Sequence, residues 1–194
     1  MLEQISAVQI PLNLRELKSE SLDTIQYKGL DKIIEVKSLL DSEWNFYDEQ
    51  DLHISLARTL SLRHHEIQAF LESLGRKIRS LKIGSISLEF DEWRLLANDN
   101  LKTSFLSLAA TRRTESVLSL ISTVDTVLES YGHPKYYDDP IIHASFAWIP
   151  KNVLPLAPHV VGTIDPPLQI SKPITHIKCK IGKVTRQWCL EPEE

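Results

Sequence analysis

Apolar and polar residues alternate along ISAVQIP, residues 5–11, until Pro11, which cannot donate to a strand ladder; this predicts a strand that stops there. Residues 12–28 show no clear period. From 30 to 40, Leu30, Ile33, Ile34, Val36 and Leu40 fit one helical face. LHISLAR, residues 52–58, alternates again and predicts a second strand. A helical period then carries Leu62, Ile67, Phe70, Leu71, Leu74 and Ile78, with Ser61 as the expected N-cap. Arg76, Lys77 and Arg79 gather in its last turns, where cations suit the helix dipole.

Alternation returns in SISLEFDEWRLLAN and in KTSFLSLAA, on either side of an Asn98-Asp99-Asn100 turn signal. A second helix is predicted over 114–131 by Val117, Leu118, Leu120, Ile121, Val124, Val127 and Leu128, with Gly132 and Pro134 as stop signals. The loop KYYDDP leads into a strand, IIHASFAWIP. The stretch from Pro150 to Pro173 is expected to be mostly irregular. ITHIKCKI, a Gly182-Lys183 turn and VTRQWCL close the chain as a β-hairpin. The elements define an α+β chain with mainly antiparallel strands.

Composition narrows the class. The chain has 194 residues, 42% hydrophobic and 25% charged, which suits one globular domain spanning 1–194 and excludes disorder, collagen and coiled coil. No run of about 18 apolar residues predicts a membrane helix, and MLEQISAVQIPLNLREL lacks the pattern of a secretory signal. Two cysteines, Cys179 and Cys189, make no disulfide framework; they are expected to face each other across the hairpin as small buried residues. The net charge of −4 argues, taken alone, against an electrostatic nucleic-acid binder.

Two triplets carry the candidate chemistry. His53-Ile54-Ser55 and His143-Ala144-Ser145 each sit in an apolar–His–apolar–Ser–apolar strand pattern, about 90 residues apart. Side chains alternate across a strand, so each His shares a face with its Ser while the apolar neighbours point to a core. Two such strands facing each other would present two imidazoles and two hydroxyls to one cleft. The plain alternative is a pair of ordinary half-buried strand histidines.

That set suits cleavage of an RNA phosphodiester, which carries its own nucleophile in the neighbouring 2′-hydroxyl. One histidine removes the 2′ proton and the other protonates the leaving 5′-oxygen, without any metal. Serine hydroxyls can donate to the non-bridging oxygens, where negative charge develops. Serines acting as acyl nucleophiles are the rival reading, but no nucleophile elbow or orienting carboxylate is evident.

LHISLARTLSLRHHEIQAF and YYDDPIIHASFAWIP resemble the two motif blocks of the 2H phosphoesterase superfamily, and within it the U6 snRNA 3′ phosphodiesterase family of poly(U)-specific exoribonucleases. The LSLRHH run, the KTSFLSL strand, the helix ending VDTVLESYG, the YYDDP loop and IKCKIG follow in matching order, from about Ile5 to Leu190. The resemblance implies a two-lobed, pseudo-symmetric fold with antiparallel sheets flanked by helices, and a cleft between the lobes. It implies metal-independent, cofactor-free 3′→5′ trimming of the oligo(U) end of U6 snRNA, leaving a 2′,3′-cyclic phosphate that some members then open. By position His53 and His143 are the acid/base pair, with the base assigned to His53 and the acid to His143, and Ser55 and Ser145 hold the phosphate. Tyr137, six residues before His143, is the expected platform for the terminal base.

Uridine or uridine monophosphate is the expected product ligand, the nucleus the implied location, and a monomer without membrane attachment the expected state. Longer members carry a basic leader that is not seen here. The neighbouring alternatives are a 2′,3′-cyclic phosphodiesterase or ligase acting on tRNA ends and a non-catalytic RNA 3′-end binding module. Tyr136 is either a second stacking ring or a packed loop residue. Arg58 and Arg63 are phosphate candidates, ahead of the Arg76, Lys77, Arg79 and Lys82 cluster. His64-His65 is not expected to chelate, since adjacent helical positions diverge by about 100°, and one of the two rings should pack. Trp44, Trp93, Trp148 and Trp188 are expected in the core, with Trp148 on the face opposite His143.

Overall fold

The computed structural model describes residues 2–12, 17–18, 44–47, 52–112, 114–156, 160–170 and 173–190. The helix expected over 30–40 lies outside them. The strands are β1 (Leu2–Pro11), β2 (Leu17–Lys18), β3 (Asn45–Phe46), β4 (His53–Ser55), β5 (Leu60–Arg63), β6 (Glu89–Ala97), β7 (Ser104–Ala110), β8 (Ile142–Ile149), β9 (Val160–Ile170), β10 (His176–Ile181) and β11 (Val184–Cys189). The helices are α1 (Ile67–Ser80) and α2 (Glu115–Ser130). Among the described residues one 11-stranded sheet runs β11-β10-β1-β4-β8-β7-β6-β9-β2, with β3 on β8 and β5 on β1, and every pairing is antiparallel. The α+β expectation is met.

The hydrophobic pattern decides which face of the sheet the helices cover. Ile54, Ala144 and Leu108 are buried and join one apolar cluster with Phe70, Leu74 and Ile78 of α1 and Val117, Leu120 and Val124 of α2. His53, Ser55, His143 and Ser145 alternate with those residues and are only partly buried, on the other face. Gly75 lets α1 approach β11: a Cβ there would collide with the Trp188 indole. Gly132 ends α2 with φ +74°, a left-handed conformation in which its N–H and that of His133 reach Glu129 O and Leu128 O. No described helix is long and apolar enough to cross a membrane.

Several expectations are corrected. Ser61 is not a helix cap: it lies in β5, where the alternation of exposed Ser61 with buried Leu60 and Leu62 continues a strand paired with β1. A short 3-10 turn, His64–Glu66, separates β5 from α1, and the Glu66 carboxylate accepts the Arg63 N–H at 2.8 Å. Neither His64 nor His65 packs, because the turn leaves both exposed. The proline-rich stretch holds an 11-residue strand, β9. Its pairing with β6 passes from Phe90↔Leu168 to Glu92↔Thr163, so Pro166 and Pro167 fall in a register break where no ladder N–H is required.

Cys179 and Cys189 do not face each other, since Cys179 pairs with Arg186 and Cys189 with His176; the first is buried and the second exposed. Trp44 and Trp93 are core residues and Trp188 packs against the core, but Trp148 is only half-buried. A bulge is the cause. Ser145 pairs with Ser107 and Ala147 with Leu106, which leaves Phe146 as the extra residue. Trp148 therefore lies opposite Phe105, on the face that carries His143.

Candidate active site

β4 is only three residues long, and its position comes from its neighbours. Gln9, Ile10 and Pro11 of β1 pair with Ser55, Ile54 and His53 on one side. Leu12 N–H to Leu52 O (2.9 Å) and Leu56 N–H to Val8 O (2.8 Å) close the strand at both ends. On the other side Ile54 lies opposite Ala144 of β8. The two motif strands are thus adjacent in one sheet rather than facing across a gap. Because they are antiparallel, His53 falls beside Ser145 and Ser55 beside His143, and the two histidines lie on a diagonal, with backbones about 7–8 Å apart.

All four side chains line one cleft of about 500 Å³. His143 Nδ1 lies 2.7 Å from Ile141 O. A carbonyl only accepts, so Nδ1 carries the proton and Nε2 is left for the cleft. Burial holds the His143 pKa below its ordinary value of 6.5; the Ile141 carbonyl opposes the shift, and the nearby charge of His53 adds to it. Neutral imidazole is therefore favoured. Ser107, fully buried, sets its hydroxyl 3.4 Å from that of Ser145.

Above this tetrad stands an aromatic and charged layer. Tyr137 is exposed and donates its hydroxyl to Asp99 Oδ1 at 2.8 Å. Arg58 lies over the Tyr137 ring, Cζ 4.1 Å from its centroid, and pairs with Asp99 Oδ2 at 3.3 Å. Tyr136 packs down: it is buried, its N–H is held by Asp125 Oδ1 at 2.8 Å, and its ring meets Tyr137 edge-on at 4.8 Å. Burial pushes its hydroxyl pKa up to about 12.

The cleft thus gathers His53, His143, Ser55, Ser145, Tyr136, Tyr137 and Arg58. Arg63, on β5, does not line it, nor do the basic residues ending α1. Sequence reasoning missed Asp99, Phe105 and Asp139, which do line it. For Asp99 the only signal was a turn motif. The contact with Arg58 and Tyr137 spans about 40 residues of chain and leaves no periodic trace. No group of three or more His, Cys, Asp or Glu among the described residues is arranged to hold a metal ion.

The antiparallel sheet that carries the β4–β8 pair and its two HxS motifs has the fold of solved structures from two other proteins. Usb1 of Kluyveromyces marxianus superposes with a TM-score of 0.64 at 15% identity over 97% of both chains, and its structure with uridine monophosphate at 0.61. Apo LigT of Escherichia coli superposes at 0.53 with 12% identity, over 99% of this chain and 100% of that one. Residues 7–189 match the HVSL family model, described as an uncharacterised conserved protein, and the chain belongs to that family. It is 32% identical over 120 residues to U6 snRNA phosphodiesterase 1 of Dictyostelium discoideum, covering 60% of this chain and 43% of that protein. Against the Homo sapiens protein of the same name it is 31% identical over 96 residues, covering 50% and 36%. The chain matches less than half the length of these curated relatives.

Proposed function

We propose that this protein is an RNA phosphodiesterase that trims uridines from the 3′ oligo(U) end of U6 snRNA, in the 3′→5′ direction, through the neighbouring 2′-hydroxyl. The observation that carries the reading is the Ile54–Ala144 pairing, which sets each histidine beside the other motif's serine in one cleft. The names of the curated relatives and the uridine monophosphate in the Usb1 structure support the substrate class. The same relatives support a nuclear role.

The Nδ1 contact with the Ile141 carbonyl, which leaves Nε2 unprotonated, and the lowered pKa favour His143 as the base. Neutral His143 takes the proton of the penultimate 2′-hydroxyl on Nε2. The 2′-oxygen bonds to phosphorus, the bond to the 5′-oxygen breaks, and protonated His53 gives its proton to that oxygen. Ser55 and Ser145 donate to the non-bridging oxygens as charge builds. A nucleoside leaves, and the shortened RNA ends in a 2′,3′-cyclic phosphate.

Tyr137 stacks the terminal base, an interaction worth about 1–3 kcal/mol. The net charge of −4 is compatible with this because an end-trimming enzyme grips only the last few nucleotides.

Incubating the protein with an RNA ending in several uridines and weighing the products by mass spectrometry tests the reading. Released uridine with a cyclic-phosphate end on the RNA is expected. Ring opening of a cyclic end without release of a nucleoside would instead mark a cyclic phosphodiesterase.

A further inference from the structure

We propose that Asp99 and Arg58 form a clamp that positions Tyr137, making Asp99 a specificity-determining residue for the 3′-terminal base and assigning Arg58 to the ring rather than to a phosphate. The inference rests on the reading of Tyr137 as the base platform.

Two contacts restrain the ring. Its hydroxyl is anchored on Asp99 Oδ1, and one of its faces is covered by the Arg58 guanidinium, itself held by Asp99 Oδ2. Tyr136 blocks a third direction edge-on, and it cannot yield because it is buried and fixed through Asp125. With one face under Arg58 and its hydroxyl anchored, the ring has at most one face left for a base. An arginine that shares a carboxylate and a π-face is a poor phosphate ligand, since its charge is already compensated. A platform with one usable face accepts one base, as removal of nucleotides one at a time requires. Prior ordering of the ring lowers the entropy cost of stacking, so the effect appears in substrate binding rather than in the chemical step.

The test compares KM and kcat on oligo(U) RNA ending in uridine with those on the same RNA ending in an abasic ribose. Wild type, Asp99→Ala and Asp99→Asn are measured, and Asp99→Ala again in a Tyr137→Ala background. Asp99→Ala is expected to raise KM for the uridine end about three- to tenfold with little change in kcat. Neither the abasic end nor the Tyr137→Ala background should show that rise. Asp99→Asn keeps an acceptor for the phenol but not the charge facing Arg58, and should fall between. An equal KM rise on the abasic end, an equal rise without Tyr137, or no rise at all would overturn the clamp while leaving the proposed activity standing. A wild type that trims neither end would overturn both.

Discussion

Ile54 of β4 lies opposite Ala144 of β8, and this pair of buried apolar residues sets the geometry of the site. A slip of one residue in either strand would turn that strand's motif histidine and serine into the core. Burial of Ile54 and Ala144 in the cluster under α1 and α2 thus holds His53 and His143 on the open face. The arrangement predicts that His53→Ala and His143→Ala each lower trimming of a uridine tail about 10²–10⁴-fold. Both variants should keep the wild-type circular dichroism spectrum, since neither ring belongs to the apolar core. Near wild-type turnover in either variant would contradict the assignment.

The direction of the His143 shift predicts two pH effects. The acid limb of kcat/KM should lie below the ordinary histidine value of 6.5, because neutral His143 persists to lower pH. Stability follows from proton counting. The unfolded chain protonates this histidine near 6.5 and the folded chain only at lower pH, so between the two the unfolded state binds more protons. Stability should fall as the pH drops through 6.5 and level off below the folded pKa. Urea midpoints from pH 8 to 5 should show this slope, and His143→Gln should flatten it.

Gly75 sits inside α1, where alanine would ordinarily be favoured by about 1 kcal/mol. Here the sign should reverse, because the added methyl meets the Trp188 indole. Gly75→Ala is expected to destabilise the protein by about 1–3 kcal/mol through overpacking. Combining it with Trp188→Ala should recover part of the loss, which thermal melts of the single and double variants can check.

Much of this site was legible in the chain. Both HxS strands, both helices and the C-terminal hairpin follow from apolar spacing and from turn residues such as Gly132 and Gly182. What escaped was what depends on distant partners. β5 looked like the start of a helix because Leu62 fits either period, and only pairing with β1 decides. β9 was hidden by Pro166 and Pro167, whose tolerance depends on a register break with β6. Trp148 changed face because one residue, Phe146, bulges out of the ladder. Asp99 reads as a turn former, and nothing local announces its two contacts across the cleft.

Among the described residues lining the cleft, Arg58 is the one lysine or arginine, and Asp99 compensates it. Binding of oligo(U) should therefore be weakly salt-dependent. A plot of log K against log salt is expected to have a slope shallower than about −2, corresponding to no more than about three phosphates on a single strand. A slope steeper than about −4 would place a longer basic track elsewhere on the protein.

In the proposed mechanism the RNA supplies its own nucleophile. The most direct measurement follows the wild-type protein on two RNAs with 3′ uridine tails, one of them carrying a 2′-deoxy sugar at the penultimate nucleotide. Release of the terminal uridine is expected from the all-ribose RNA and not from the substituted one. Release from both at similar rates would contradict that mechanism.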